Sequence, residues 1–452
     1  MEAVAGSIMA QPVTLQIKDG IAVVTLDAPP VNALSDQVIG GLSAAFVKAT
    51  EQPGIAAVVL ATREAMFSAG FDVRDFATSG QRLSTLCDMI EDMPCPVVAV
   101  LQGAALGGGA ELALAAHYRL AVAGATIGQP EVMLGLIPAA GGTQRLPRLV
   151  GAAAALDMLL GGRSVAAGAA RDLGLIDGII AGDPLIAAVA FARRLIDQGD
   201  GPRPTRHRRD RLADGPAYLA AVANRRTALK SSRLNAPKRL VDCVEAAALM
   251  PFDAGQAYAA TALRDCLADP QSRALRHIFL AERQIPATLL VRADGGYTVA
   301  PAGQAVVDRV MAALRQAGLA LVRDGAAQAQ VDAAALALGL RNGVFGAGDP
   351  GAAGSDLAGL QRRLIAAMMA EGGRQIADKA VRQAGDIDAL MVHGAGFHRW
   401  SGGPMAAAQT LGLLDLRTDM VAWRADDPVW TPPPILLAAL KYADGFDAPE
   451  LR

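Results

Sequence analysis

Residues 96–121 read PVVAVLQGAALGGGAELALAAHYRLA. Their first part, Pro96 to Gly103, is a continuous β-branched run, the pattern of a strand buried on both faces of a parallel sheet. The second part sets three glycines, Gly107, Gly108 and Gly109, at the mouth of a helix rich in Ala and Leu. Glycines there let another backbone or a ligand come close, and a helix N-terminus offers unpaired N–H groups whose dipole favours negative charge. The same glycines would also serve tight strand-to-helix packing. Glu111 shifts the reading toward chemistry, because it projects from the first helical turn close to those N–H groups.

Outward from this stretch, VTLQIK (13–18), the Asp19-Gly20 turn and IAVVTL (21–26) give a hairpin signal, and Ser35 is an N-cap for a helix over Asp36 to Thr50. IAAVVLA (55–61) is a second buried strand. Strands and helices alternate over the first two hundred residues, so the fold class is α/β. Phe67-Ser68-Ala69-Gly70-Phe71-Asp72 is a break of small residues soon after that strand, and Gly128 to Val132 brings a second carboxylate, Glu131, into an apolar stretch running to Pro138. Two glutamates in apolar surroundings beside an anion-binding helix start suit acid/base work next to a carbonyl: one takes a proton and one gives it.

With 452 residues, 52% of them apolar, the chain has room for two or three domains. Its 42 Lys+Arg against 44 Asp+Glu create no field that favours nucleic acid or an anionic membrane, so any anionic ligand must meet a local patch. Cys87, Cys95, Cys243 and Cys266 lack the paired spacings of a zinc or redox motif and read as buried thiols in a reducing compartment. No apolar run is long enough to span a bilayer. The N-terminus has no basic start followed by a sustained apolar run, and the final Glu450-Leu451-Arg452 is not a peroxisomal address, so the expected location is cytoplasmic.

PRPTRHRRDR (202–211) reads as a boundary, and Leu212 to Gln284 is helical throughout. Beyond Gln304 the chain is helical again and repeats itself. The stretch from Arg309 aligns with that from Arg363 with a two-residue gap, setting Val331-Asp332 against Ile387-Asp388 before a glycine-rich end, which reads as two tandem helical units.

FSAGFD (67–72), ALGGGAELALAAHYRLA (105–121), GQPEVMLGLIPAAGGTQRLPRLVG (128–151) and DLGLIDGII (172–180) together resemble the enoyl-CoA hydratase (crotonase) family over roughly residues 13–190. The HYR and GGTQRLPR variants resemble the hydratase half of the bifunctional β-oxidation multienzymes. RLNAPKRLVDCVEAAALMPFDAG (233–255) and LADPQSRALRHIFLAERQ (267–284) resemble their linker helices, and the repeat, notably HGAGFHRWSGGP (393–404), resembles their duplicated 3-hydroxyacyl-CoA dehydrogenase C-terminal domain. The resemblance implies a crotonase-type β-β-α spiral domain over 1–200, linker helices and a vestigial junction over 201–302, and all-α dehydrogenase C-terminal-like repeats over 303–452.

In the multienzymes a complete NAD-binding domain follows the linker, whereas here only Ile285 to Gly295 precedes Gly296-Tyr297-Thr298-Val299, which resembles the entrance to the helical domain. GAGDPG (346–351) fits G-x-G-x-x-G but has no clear strand before it, carries Pro350 inside the would-be phosphate loop, and lacks an acidic residue at the end of a following strand. It reads as the loop between the repeats. Ala300 stands where the family's dehydrogenases carry Asn. The expectation is therefore no NAD and no dehydrogenase activity.

By the resemblance, the N–H groups of Phe71 and Gly108 would hold a thioester carbonyl oxygen, with Ala69, Gly70 and Gly107 lining the substrate. Glu111 would activate water for attack at Cβ, and Glu131 would supply the proton to Cα. Isomerisation of a 3-enoyl double bond is a secondary activity of such relatives. Coenzyme A enters as part of the substrate, no metal is expected, and the linker helices suggest a monomer or dimer. Arg203, Arg206, Arg208 and Arg209, or Arg225, Arg226 and Lys230, are either a patch for the phosphates or solvated charge. His393 and His398 read as structural. Two other readings stay open: a crotonase-type lyase cleaving C–C bonds of a bulky acyl-CoA, and a non-catalytic acyl-CoA-binding protein.

Overall fold

A computed structural model describes residues 11–72, 76–293, 296–346, 356–448 and 451. Two compact units are separated between Ala268 and Asp269.

The first unit is built on a six-stranded sheet in the order β1 (Val13–Lys18), β2 (Ile21–Leu26), β3 (Ala57–Thr62), β4 (Val97–Leu101), β6 (Tyr118–Val122) and β9 (Gly178–Ile180). The β1–β2 pair is the antiparallel hairpin expected from the Asp19-Gly20 turn, and the other neighbours pair in parallel. Every residue of β3 and β4 is buried, which is why they read as unbroken apolar runs. A smaller sheet, β5 (Ala104–Leu106), β7 (Thr126–Gly128) and β8 (Val165–Ala166), takes the chain directly after β4 and β6. This stepping from one sheet to the other, before α3 and again before α4, is the β-β-α spiral.

Among the helices, α1 (Asp36–Glu51) starts at Ser35, whose hydroxyl accepts from the Val38 N–H at 3.3 Å. Next come α2 (Phe76–Glu91), α3 (Gly108–Ala115), α4 (Gly142–Gly161), α5 (Ala167–Asp172) and α6 (Pro184–Gln198). Ala188, Ala192 and Leu195 of α6 pack on Val59, Val98 and Val100 of the large sheet.

The expected boundary at 200 does not separate units, nor does that at 302. The 3-10 turn Thr205–His207 is tied back through the Thr205 hydroxyl, which donates to the Leu114 carbonyl at 3.2 Å. Helices α7 (Gly215–Ala228) and α8 (Ala236–Leu249) then pack on α4, and α9 (Phe252–Ala268) packs on α8. The Gln144 amide donates to the Cys243 carbonyl at 3.0 Å, and the Tyr218 hydroxyl to that of Val244 at 2.6 Å. The linker segment is thus divided, its first three helices completing the first unit and α10 (Pro270–Gln284) opening the second.

In the second unit a short antiparallel hairpin, β10 (Leu290–Ala293) and β11 (Gly296–Val299), stands between α10 and the long α11 (Pro301–Arg323). The remainder is helical: α12 (Gln328–Ala337), α13 (Leu357–Ala377), α14 (Ala384–Leu390), α15 (Gly403–Thr410), α16 (Leu413–Trp423) and α17 (Pro434–Ala439). The tandem repeat is visible in a shared device. Asp332 accepts from the N–H groups of Val344 and Phe345 at 2.5 and 2.8 Å; Asp388 accepts from Met405 and Ala406 at 2.7 and 3.2 Å. Each aspartate sits on a short helix after a long one and clamps the start of the segment downstream. Most of GAGDPG, from Ala347 on, lies outside the described residues.

Trp430 is fully buried, donates its indole N–H to the Arg363 carbonyl at 2.9 Å and meets the Trp423 ring edge-on. All three tryptophans of the chain, Trp400, Trp423 and Trp430, fall in the second unit. Trp430→Ala is expected to cost that unit about 3–5 kcal/mol. Urea unfolding followed by the fluorescence of the two remaining tryptophans should show an earlier midpoint; an unchanged midpoint would contradict this packing.

Candidate active site

Two backbone segments, Ser68–Phe71 and Gly107–Gly109, lie against each other in the first unit. Ser68 and Ala105 form an isolated parallel bridge, and the Leu106 N–H donates to the Ser68 carbonyl at 2.9 Å. A Cβ on Gly109 would lie 2.6 Å from Ser68 Cβ, and one on Gly108 3.0 Å from Phe71 Cε2. Gly70, at φ +80°, has room for no side chain: a Cβ there would lie 2.7 Å from the Leu106 carbonyl oxygen and 3.0 Å from the Gly108 nitrogen. These distances show the tight packing that glycines at these positions permit. The same close approach sets Phe71 beside the first N–H of α3, one of the four that have no acceptor within a helix.

The first of these segments is held by buried polar groups. The Ser68 hydroxyl donates to the Asn32 carbonyl at 2.7 Å and accepts from the Gly70 N–H at 3.0 Å. The Asn32 amide in turn donates to the Met66 and Phe67 carbonyls. Asn32 and Ser68 are both 0% exposed.

Both glutamates point into this region, and both are buried. Glu111 lies in the first turn of α3, and its carboxylate is cradled by the loop before α4. Oε1 accepts from the N–H groups of Ala140 and Gly142, each at 2.7 Å, and Oε2 from that of Ala139 at 3.3 Å. Glu131 opens the 3-10 turn Glu131–Leu134, and its Oε1 would lie 3.0 Å from a Cβ on Gly107. Both Glu131 oxygens are buried without a hydrogen-bond partner, with only its own backbone N–H exerting a weak pull.

Burial pushes both carboxyls above the ordinary carboxylate range. For Glu111 the N–H groups of Gly142 and Ala140 and the Arg145 charge work against that rise, whereas for Glu131 the negative charge of Glu111 adds to it. Both carboxyls thus hold a proton to higher pH than a free glutamate, and Glu131 the more so, because it lacks the N–H groups that favour the charge on Glu111.

The sequence-derived residues Ala69, Gly70, Phe71, Gly107, Gly108, Glu111 and Glu131 thus come together. Sequence reasoning missed the Ala139–Gly142 cradle, Gln129, and the fully buried Arg145 and Glu91. Gln129 has both amide atoms buried without a partner and packs on Gly142, where a Cβ would lie 2.0 Å from its Nε2. A charged residue in the first turn of a mostly apolar helix, two places before Pro147, was the available signal for Arg145. A groove of about 760 Å³ between α2 and α9 is lined by Phe76, Ser84, Ala139, Phe252, Gln256 and Leu263, so it reaches the cradle at Ala139.

Most of the arginines considered for a phosphate patch are engaged elsewhere. Arg203 pairs with Asp177 and covers the Tyr118 ring, Arg206 pairs with Glu91 and Asp88, and Arg208 with Asp210. Arg225 pairs with Asp157, and Arg226 with Asp242 and Glu245. In the second unit His393 pairs with Glu282 at 2.6 Å and His398 stacks on Trp400. No helix among the described residues is long and apolar enough to cross a membrane.

Holding Glu131 protonated in the folded state has a stability consequence. Between the ordinary glutamate value of 4.5 and the raised value of about 8, the unfolded chain has shed a proton that the native site keeps, so stability falls as pH rises through that window. Glu131→Gln is expected to unfold at a higher temperature than the parent at the alkaline end of the window, with the gap closing toward its acid end. Parallel pH curves for the two proteins would show that Glu131 is not held this way.

Residues 16–201 match the family model described as enoyl-CoA hydratase/isomerase. The human peroxisomal bifunctional enzyme is 37% identical over 281 residues, 60% of this chain and 38% of that protein. The peroxisomal fatty acid beta-oxidation multifunctional protein of Oryza sativa subsp. japonica is 33% identical over 285 residues, 60% of this chain and 39% of that protein. The match thus spans about two-fifths of the length of these curated relatives. Among solved structures, enoyl-CoA hydratase subunit I of Geobacillus kaustophilus is 26% identical, with a TM-score of 0.40, over 60% of this chain and 95% of that one. Residues 16–201, about two-fifths of the chain, thus form a domain of the enoyl-CoA hydratase/isomerase (crotonase) type.

Proposed function

We propose that the first unit adds water reversibly to trans-2-enoyl-CoA, giving a 3-hydroxyacyl-CoA. The observation that carries this reading is the unequal treatment of two buried carboxylates beside one helix start. Glu111 accepts three backbone N–H groups, while Glu131 accepts none and sits against Gly107. Two such carboxyls share about one proton near neutrality, and the unpartnered one keeps it.

In this reading the thioester carbonyl oxygen lies against the N–H groups of Phe71 and Gly108, where it gains negative charge as the enolate forms. Donors aimed at developing charge are worth about 3–4 kcal/mol each in acyl chemistry. Glu111, ionised, takes a proton from water as the oxygen bonds to Cβ. Glu131, protonated, gives its proton to Cα. One O–H bond of water and the C=C π bond break, one C–O and one C–H bond form, and the proton shared by the two carboxyls ends on Glu111 instead of Glu131. The acyl chain would leave along the groove between α2 and α9, since Ala139 belongs to both groove and cradle. Moving a 3-enoyl double bond needs only the proton transfers and is a secondary activity of the same pair. Hydration involves no net oxidation, so it calls for no nicotinamide. The short hairpin between α10 and α11 supports the further proposal that the chain performs no dehydrogenation.

The test follows the enoyl-thioester ultraviolet absorbance when purified protein, without NAD, meets trans-2-enoyl-CoA of short, medium and long chain. Decay is expected at one or more lengths, slowed about 10²- to 10⁴-fold by Glu131→Gln. Adding NAD to the 3-hydroxyacyl product should yield no NADH. Absence of decay at every length, or full activity in Glu131→Gln, would overturn the proposal.

A further inference from the structure

Arg145 lies in the first turn of α4 with its side chain fully buried. Its Nε and Nη2 both donate to Glu91 Oε2, at 3.1 and 2.8 Å, and Nη2 also reaches Asp88 Oδ1 at 2.9 Å. Its Nη1 donates to the Ala140 carbonyl at 2.7 Å. Ala140 is the residue whose own N–H donates to Glu111 Oε1 at 2.7 Å. One residue of the cradle is therefore gripped on both sides: its carbonyl by Arg145, its N–H facing Glu111.

Glu91, at the far side of Arg145, is itself fixed. It accepts from the Arg206 N–H at 2.7 Å and the Arg206 Nε at 2.9 Å. Its carbonyl lies 3.0 Å from His117 Nε2, while His117 Nδ1 accepts from the Val97 N–H at 3.0 Å. That second bond leaves Nε2 as the protonated nitrogen, so His117 donates to Glu91. The guanidinium groups of Arg145, Arg148 and Arg206 all lie 5.0 to 5.5 Å from the centre of the Phe252 ring.

We infer that Arg145 is a positioning residue for Glu111, reaching it through the Ala140 backbone, with Glu91 and Arg206 holding the guanidinium in place. This rests on the proposed acid/base roles but adds a residue that touches no substrate atom in them. The fork geometry explains the residue type. Arg can meet a carboxylate with two N–H groups and a carbonyl with a third from one rigid plane, whereas an ammonium on a flexible stem cannot fix all three directions. The Arg145 charge also works against the burial that raises the Glu111 pKa. Losing Arg145 should therefore loosen the cradle and push that pKa further up, so that less Glu111 is ionised at neutral pH.

The experiment compares Arg145→Lys, Arg145→Met and the pair Glu91→Gln/Arg145→Met, the last to avoid an unpaired buried carboxylate should the single variant fail to fold. Two readouts are taken. The first is the infrared carboxyl band of Glu111 as a function of pH, assigned by its absence in Glu111→Gln. The second is kcat and KM for enoyl-CoA hydration across pH. In folded Met variants the Glu111 titration is expected to move to higher pH. Their kcat should fall on the order of 10- to 100-fold with KM little changed, and the acid limb of the profile should shift upward. Arg145→Lys should restore part of both.

An unmoved Glu111 titration in a folded Met variant would overturn the inference whatever the activity. If the titration moves but the parent protein hydrates no enoyl-CoA, the inference stands and the proposed hydratase function falls.

Discussion

The constraint on which the first unit turns is the burial of two carboxylates side by side. Each resists ionising away from water, and the charge of one penalises the other, so the fold must decide where the negative charge rests. It does so with backbone N–H groups. Three of them, from Ala139, Ala140 and Gly142, converge on Glu111, whereas no other residue's N–H lies within hydrogen-bond distance of the Glu131 carboxyl. A charge-assisted hydrogen bond is worth roughly 1.5–3 kcal/mol, so this asymmetry suffices to bias a single proton toward Glu131. The site gives up stability to do so, because at neutral pH the protein keeps bound a proton that the unfolded chain would release.

Much of the local architecture follows from aiming those N–H groups. The cradle loop must approach α3, and α3 must begin against the Ser68–Phe71 segment. Side chains at Gly70, Gly107, Gly108 and Gly109 would collide with Leu106, Glu131, Phe71 and Ser68, respectively. The far side of the cradle depends on a helix that is itself enclosed. Helix α4, which carries Arg145, is packed by α7 and α8, while Phe252 of α9 lies over the arginine cluster. This gives the segment after residue 200 a physical reason to belong with the sheet domain and not to act as a free linker.

That dependence explains what the sequence revealed and what it withheld. Buried parallel strands, the Asp19-Gly20 hairpin, the Ser35 cap and the three glycines are local patterns, and each was readable from a few neighbouring residues. Glu111 and Glu131 were readable too, because carboxylates among Gly, Pro and Leu stand out. The cradle was not, since backbone N–H groups leave no trace in side-chain identity. Arg145 pairs with Glu91 across 54 positions and Arg206 reaches the same carboxylate across 115, so nothing in their neighbourhoods names the partner. Arg203, Arg206 and Arg208, neighbours in a run that read as either a phosphate patch or solvated charge, pair with different acids. The division after Ala268 has the same origin: composition marks where the chain turns polar, whereas contacts decide which helices share a core.

A carboxylate that accepts backbone N–H groups recurs in the second unit, where Asp332 and Asp388 each clamp the start of a downstream segment. Comparing them with Glu111 shows how differently buried carboxylates are satisfied in the two units. Asp388 is saturated: it accepts from Met405 and Ala406 and lies 2.8 Å from the His277 ring, whose pKa is raised to about 10 despite burial by its hydrogen bonds to Asp388 and Asp447. The charge of Asp388 is thus met by a cation as well as by N–H groups. Glu111 lacks a cation in direct contact; Arg145 stands one residue away, close enough to steady the cradle yet not to bind the carboxylate. Glu131 lacks even the cradle. Among the described residues it is the carboxylate with both oxygens buried and unpartnered, and a buried polar group left so is either a defect or the place where a ligand completes the set. Its position against Gly107, one residue from the open N–H of α3, makes the second reading the economical one.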